Sequence, residues 1–337
     1  MAGYRDKVRG IKKKEVRLLR IVVFVLAILS RDGFSEVAWE KEVEEGESAG
    51  HYELVPDFTL LKARSRDEHQ QLGGRAPYFA HYRKGRLELV FIAARHEPRM
   101  GSPTHRLIKS VIKGFAPAFV ITEGLCSDEG VSPRGLLQDA REMKLSGNLP
   151  EPLYAALVAH DHGIPFIGGE PPPSVTTQAL RNEGNDEDAL GFLVVRHLGQ
   201  VRREEPEAEL DQRVKQMLPR MRRRFSLKSN MTLQDFKSWY KKTTSRDFRA
   251  VNIDPEEVAP LAMPNAGLLR RMGIAVMLAR ERHLITLEAR LLREHRKVLV
   301  IYGSGHLVYE DAILKDMLGP PVHKSSLWID RLIRKVP

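Results

Sequence analysis

The sequence has almost no cysteine, and its N-terminal hydrophobic run is short. Cys126 is the single cysteine among 337 residues, which excludes an intrachain disulfide. It could be a nucleophile, since it closely follows Glu123, but a small buried residue is the interpretation we favour. The apolar stretch over residues 21–29 has nine residues, whereas a membrane-spanning helix needs about 20. This stretch therefore does not predict a comfortable bilayer span.

The N-terminus nevertheless resembles an export signal. Residues 4–20 contain eight Lys and Arg, and the apolar run over residues 21–29 follows directly. A small-x-small pattern ends at Ser35. We predict a signal peptide or N-terminal anchor over residues 1–35 and an exported protein, periplasmic or tethered to the membrane through residues 18–29. The alternative is a basic tail followed by a buried strand or helix.

Charge gives little support for nucleic-acid binding. The formal net charge is +10, but 45 basic and 41 acidic residues remain once residues 1–35 are set aside. A basic cluster at residues 220–224 precedes Trp239 and Tyr240, and basic patches with aromatic residues can bind nucleic acid. We interpret this region as the solvated face of a helical segment and predict no nucleic-acid partner.

Three apolar runs each lead into a residue with metal-binding or acid–base chemistry. The runs are residues 87–93, 118–122 and 298–302. Their length and β-branched content predict buried strands. The residues that follow are His96, Glu123 and His306, the last within Gly303-Ser304-Gly305-His306. Parallel strands bring their carboxyl ends to one edge of a sheet, so these three side chains converge if the strands are neighbours. Two imidazoles and a carboxylate are a common ligand set for a divalent transition metal.

Two further residues are candidates for the same site. A fourth short strand over residues 164–167 leads through Gly168 and Gly169 to Glu170, which is either a site carboxylate or a solvated loop acid. A long helix is predicted over residues 266–296, and Arg282 falls on its apolar stripe. A guanidinium in that position needs an anionic partner unless it extends to water. We predict that Arg282 reaches the site.

The order of elements predicts an α/β fold, with a central mixed sheet flanked by helices and interrupted by a helical insertion. Residues 76–82 and 87–93 flank a Gly-containing turn and predict a β-hairpin. A helix over residues 105–113 then leads to the next strand, which is a crossover of the βαβ type. After a linker and N-terminal segment over residues 36–71, the α/β domain covers residues 72–337, with the insertion at about 174–262. Closing helices are predicted over residues 311–318 and 326–333.

These motifs together resemble the TraB/GumN/Tiki superfamily, whose relatives include erythromycin-esterase-like and ChaN-like proteins. The resemblance covers residues 72 to 320. It lies in Ala93-Ala94-Arg95-His96, Glu123-Gly124, Gly168-Gly169-Glu170, Arg280-Glu281-Arg282-His283 and Gly303-Ser304-Gly305-His306-Leu307. Members have two G-x-x-H motifs and an acidic residue. The second motif is intact in this sequence, whereas the first begins with Ala93 in place of glycine.

The resemblance implies a metal-dependent hydrolase of the peptidase kind. His96, Glu123 and His306 would be metal ligands, and Glu123 or Glu170 would be the general base. Arg282 would hold a carbonyl, a carboxylate or an oxyanion. A bound Mn²⁺, Co²⁺ or Zn²⁺ would activate water against a peptide or small-molecule ester. Two alternatives remain open on the same scaffold: a non-catalytic protein that binds haem, iron or another ligand, and a metal-free esterase with His96 or His306 as the base.

Overall fold

A six-stranded mixed sheet forms the centre of the chain. The computed structural model describes residues 54–126, 133–198 and 205–325. The strands follow one another across the sheet in the order β4-β3-β5-β2-β1-β6. Their bounds are β1 Tyr78–Lys84, β2 Leu87–Ala94, β3 Phe119–Cys126, β4 Phe166–Glu170, β5 Lys297–Gly303 and β6 His323–Ser325. The predicted α/β fold with a mixed sheet is therefore confirmed.

The four strands that supply the candidate residues are parallel neighbours. β5 lies between β2 and β3, and β4 pairs with the outer side of β3. β1 and β6 add an antiparallel extension, with β1 and β2 joined by the predicted hairpin around Gly85, whose φ is 60°. Because β2, β3, β4 and β5 run in one direction, their carboxyl ends all lie at the same edge of the sheet.

Ten α-helices accompany the sheet in the described part of the chain. They are α1 Arg66–Leu72, α2 Pro103–Phe115, α3 Pro133–Leu145, α4 Glu151–Asp161, α5 Pro173–Arg181, α6 Asp186–Leu198, α7 Glu207–Arg224, α8 Leu233–Thr244, α9 Leu268–His295 and α10 Ser304–Leu318. Local sequence explains several helix starts. Ser65 and Thr232 each form a capping box, and Ser102 accepts a hydrogen bond from the first turn of α2.

The sheet is covered on both faces, which explains why its central strands are almost continuously apolar. Alternate residues of β5 point to opposite sides: Val298 and Val300 pack towards α9 and α10, while Leu299 and Ile301 pack towards α2 and α4. All four of these side chains are fully buried. The carboxyl edge of the sheet thus lies between two layers of packed helices.

Helices α5 to α8 and the first part of α9 form a second apolar core. No strand lies between Pro173 and residue 262 among the residues described there, apart from one isolated bridge at Leu261, as the predicted helical insertion requires. Trp239 is 9% exposed and Tyr240 is fully buried, so neither ring is available to stack on a base. Both rings instead pack inside the insertion.

The segment after β5 is helical, although its two glycines are more typical of a tight turn. A closing helix was predicted only over residues 311–318, whereas α10 begins at Ser304, directly after the strand. Gly303 takes the N-cap position, and His306 consequently lies in the first turn of the helix. A further helix predicted over residues 326–333 lies outside the described residues, as does the predicted signal segment. Within the described ranges, no helix combines the length and apolarity needed to cross a membrane.

Two glycine-to-alanine changes test the packing of the sheet. A Cβ on Gly168 would lie 2.1 Å from the Leu125 carbonyl oxygen, so β3 and β4 would have to separate. We expect Gly168→Ala to lower the free energy of unfolding by about 1–3 kcal/mol. Gly114→Ala is the control, because open space surrounds that helical position and alanine favours helix by up to about 1 kcal/mol. A melting temperature of Gly168→Ala equal to that of the wild type in thermal denaturation would contradict this packing.

Candidate functional site

Glu123 is the centre of a polar cluster at the carboxyl edge of the sheet. Its Oε1 lies 3.3 Å from His306 Nε2 and 3.3 Å from Arg280 Nη2. Its Oε2 accepts the Gly303 backbone N–H at 2.7 Å and lies 3.8 Å from His96 Nε2. The sheet therefore brings His96, Glu123 and His306 together, as their positions after neighbouring parallel strands predict.

Arg280 joins the two site carboxylates. Its Nε donates to Glu170 Oε2 at 2.8 Å and its Nη2 donates to Glu170 Oε1 at 2.5 Å, which is the paired geometry typical of Arg and carboxylate. The same Nη2 reaches Glu123. Burial opposes the charges, yet the Arg280 guanidinium holds the pKa of Glu170 below its usual range. Glu170 is thus a site carboxylate rather than a solvated loop acid, and it is ionised.

Arg282 does not reach this cluster, and the prediction that it does was wrong. Its guanidinium lies 4.5 Å from the centre of the Phe58 ring, on the exposed side of α9. Residues two apart on a helix point in nearly opposite directions, so only one of Arg280 and Arg282 can face the sheet edge. The apolar-stripe argument selected the wrong one because α9 is buried on more than one side.

Each site histidine has a carboxylate behind it. His96 Nδ1 pairs with Glu151, which lies in the first turn of α4 and is buried. His306 Nδ1 lies 2.5 Å from Glu281 Oε1 on α9. A carboxylate at Nδ1 fixes the ring orientation and leaves Nε2 facing the site. Sequence reasoning missed Glu151 and Glu281, because each reaches its histidine only through helix packing, 55 and 25 residues away in the chain.

The electrostatics of the two histidines differ. Burial opposes the charge on His306, but the Glu281 and Glu123 carboxylates raise its pKa to about 10. His306 is therefore an imidazolium at neutral pH. The hydrogen bond to Glu151 raises the pKa of His96 above its usual range, and burial works against that shift. His96 is also the accessible one, with 62% of its side chain exposed against 13% for His306.

Glu123 is held as an anion by its neighbours. Burial would raise its pKa, but the His306 and Arg280 charges hold that pKa far below the usual value of a glutamate. The first turn of α10 adds to this effect, because Gly303 donates its N–H and the positive end of the helix dipole faces the same edge. A Cβ on Gly303 would lie 2.8 Å from His96 Nε2, so any larger residue there would shift the His96 ring away from its place beside Glu123.

The cluster fits a divalent metal in the kinds of donor it offers, but not in their arrangement. Two imidazoles anchored at Nδ1 and one carboxylate are suitable ligands. However, His306 Nε2 and Arg280 Nη2 both lie 3.3 Å from Glu123 Oε1, so a dication there would meet two positive groups. Within residues 54–126, 133–198 and 205–325, no group of three or more His, Cys, Asp or Glu is arranged to hold a metal ion.

Three buried carboxylates lie behind His306. Glu281, Glu288 and Glu310 are each fully buried. Among the described residues, no N–H or hydroxyl group donates a hydrogen bond to Glu281 Oε2 or to either carboxyl oxygen of Glu288 and Glu310. Glu310 lies within hydrogen-bonding reach of both other carboxyl groups. Burial, reinforced by the neighbouring carboxylates, raises the pKa values of Glu288 and Glu310 well above the usual range. These two groups therefore hold protons, which they share with their neighbours.

No family model, curated protein or solved structure matches this chain. The resemblance to the TraB/GumN/Tiki superfamily therefore stays a prediction from the motifs.

The Arg280 contacts can be tested with a matched pair of arginines. Arg280→Met leaves Glu123 and Glu170 partly buried without their cation, and we expect it to lower the free energy of unfolding by about 3 kcal/mol. Arg282→Met loses only a contact with Phe58, worth about 0.5–1 kcal/mol. Chemical denaturation measures both. Equal losses in the two variants would contradict the assignment of Arg280 to the site.

The buried carboxylates predict a pH dependence of stability. The pKa of Glu288 is higher in the folded protein than in the unfolded chain, where it is near 4.5. Its contribution to stability is therefore full below pH 4.5 and is lost as the pH rises towards the pKa of the folded state. Glu288→Gln retains a donor towards Glu310 and removes this titration. We expect the variant to melt like the wild type at pH 5 and at a higher temperature at pH 8. Glu209→Gln, at an exposed position, is the control. The prediction would be refuted if Glu288→Gln differed from the wild type in melting temperature by the same amount at pH 5 and at pH 8.

Proposed function

We propose that the chain is a hydrolase of an ester or amide carbonyl and that the cluster around Glu123 is its active site. The observation that carries the proposal is the His96–Glu151 pair, whose imidazole is the most exposed member of the cluster. A histidine oriented at Nδ1 by a carboxylate is a common general base, with Nε2 free to take a proton from water.

His96 is the better base of the two histidines. His306 carries a proton at neutral pH because its pKa is about 10, so it contributes positive charge rather than basicity. The pKa of His96 is raised by its hydrogen bond to Glu151 and opposed by burial, and its exposed ring can exchange a proton with water at the site. Glu123 is a weak base because its pKa is far below the usual range. Its role in this proposal is to hold His96 and His306 in place.

The charge that develops on the carbonyl oxygen also has candidate stabilisers. The first turn of α10 begins at Ser304 without a side-chain cap, so its backbone N–H groups point towards the sheet edge. The helix dipole adds positive potential at the same place. In this mechanism His96 takes the water proton as the water oxygen attacks the carbonyl carbon, and the protonated His96 then returns that proton to the leaving group.

A metal-dependent hydrolase is the second candidate, favoured by one observation. Both imidazoles present Nε2 towards Glu123 and both have a carboxylate at Nδ1, which is the usual outer-shell support of metal-binding histidines. His96, Glu123 and His306 would hold Mn²⁺, Co²⁺ or Zn²⁺, and the ion would lower the pKa of bound water. Arg280 would have to move away from Glu123 for the ion to bind.

One set of assays separates these candidates. The full chain would be tested against p-nitrophenyl acetate and a fluorogenic peptide set, with EDTA or with added Mn²⁺, Co²⁺ or Zn²⁺. We expect hydrolysis that survives EDTA and falls about 100-fold or more in His96→Gln, because general-base catalysis contributes at least that much. Glu151→Gln should move the acid limb of the kcat/KM profile to lower pH, because it removes the group that raises the pKa of His96.

His160→Gln is the control, since that histidine is half exposed on α4 and pairs with Asp161 instead of the site. Activity lost with EDTA and restored by one of the ions would replace the metal-free mechanism with the metal-dependent one. Elemental analysis of wild type and His306→Ala then provides a readout besides activity. Binding of haem or iron without turnover of any substrate would favour the ligand-binding alternative and reject both hydrolase mechanisms.

A further inference from the structure

The cations at the sheet edge are already engaged by protein carboxylates. Arg280 makes two bonds to Glu170 and a third to Glu123. His306 lies between Glu123 and Glu281, and His96 pairs with Glu151. None of these groups has a charge free to hold an anionic substrate without giving up a partner. A cation near this edge that has no carboxylate partner of its own would therefore be available to bind an anionic group of a substrate.

Arg196 is such a cation. It lies in the last turn of α6, in the helical insertion, and is half-buried. Helix α6 packs against α9, which carries Arg280. Across the described ranges, the Arg196 guanidinium has no hydrogen bond and no ion pair with any residue, whereas Arg280 on the neighbouring helix is saturated. Leaving a partly buried guanidinium without an anion is costly, and the described residues supply none at hydrogen-bonding distance, so a bound anion would stabilise Arg196.

The surroundings place Arg196 at the margin of the Glu123 cluster. It lies within electrostatic range of Arg280, Glu170 and Glu123. Burial first, and then the Arg280 charge, lowers the pKa of Arg196 to about 10, so it remains charged at neutral pH. The Glu170 and Glu123 carboxylates favour its charge, but Arg280 and His306 already occupy them at hydrogen-bonding distance. Arg196 thus adds positive charge beside carboxylates that are already neutralised.

We propose that Arg196 binds an anionic group of the substrate, a carboxylate or a phosphate, and so holds the reacting carbonyl beside His96. A guanidinium offers parallel N–H donors that match the oxygens of either group. The catalytic groups come from the sheet and its flanking helices, whereas Arg196 comes from the insertion. The substrate would accordingly lie between these two parts of the chain. The identity of the substrate class rests on the proposed hydrolase function, but the anion site itself does not.

Anion binding can be measured without any catalysis. Inorganic phosphate and acetate are titrated by calorimetry into the full-length wild type, Arg196→Gln and Arg290→Gln, with chloride keeping the ionic strength constant. Arg290 is the matched control because it is an exposed arginine on α9. We expect phosphate or acetate to bind wild type and Arg290→Gln with similar affinity and Arg196→Gln at least tenfold more weakly. The tighter of the two anions identifies the group that the site accepts.

Equal binding by all three proteins, or no binding of either anion by wild type, would overturn the assignment. Circular dichroism and the melting temperature of Arg196→Gln separate a lost site from a lost fold, and Arg196→Lys should recover part of the affinity because it restores the charge without the paired donors.

A second experiment distinguishes failure of this site from failure of the proposed function. The ratio of kcat/KM for mono-p-nitrophenyl succinate to that for p-nitrophenyl acetate reports preference for an anionic substrate. We expect a ratio above ten in wild type and Arg290→Gln, and at least a tenfold lower ratio in Arg196→Gln. Hydrolysis with equal ratios in all three would reject the Arg196 proposal and keep the hydrolase. Anion binding at Arg196 with no hydrolysis of either ester would keep the Arg196 proposal and reject the hydrolase.

Discussion

The ion cluster formed by Arg280, Glu123 and Glu170 is the constraint on which the carboxyl edge of the sheet depends. Two carboxylates that are only 16% and 20% exposed would repel each other and lose hydration without a cation between them. Arg280 supplies that cation, and the Gly303 N–H supplies a further donor. The strand ends are therefore fixed relative to α9, and both histidines take their positions from that frame.

The same arrangement leaves two kinds of charged group at the site: those that pair with one another and those that remain available for catalysis or binding. Glu123, His306 and Arg280 satisfy one another and have strongly shifted pKa values, so they change protonation state poorly near neutral pH. His96 keeps an accessible ring and a carboxylate at Nδ1. Arg196 keeps a charge with no partner among the described residues. This contrast underlies both proposals, because chemistry and recognition need groups that are not already neutralised.

Much of the site was readable from the chain because β-strands carry a strong local pattern. Short β-branched runs that lead to His96, Glu123, Glu170 and His306 predict parallel strands with these residues at one edge of the sheet, and β2, β5, β3 and β4 are parallel neighbours. The helix pattern was less informative. In α9 buried residues occur on more than one side, so the apolar periodicity did not distinguish the inward Arg280 from the exposed Arg282. The start of α10 at Ser304 was also missed, because glycines there favoured a turn.

The sequence by itself determined the α/β class, the order of the strands along the chain and the residues at their carboxyl ends, since each follows from local hydrophobicity and from the common direction of parallel strands. Only the tertiary structure decided which charges meet. Glu151 reaches His96, Glu281 reaches His306 and Arg280 reaches Glu170 across separations of 55, 25 and 110 residues. Such pairings depend on how helices rotate against the sheet, and pKa values follow from the resulting burial and distances, which no local pattern encodes.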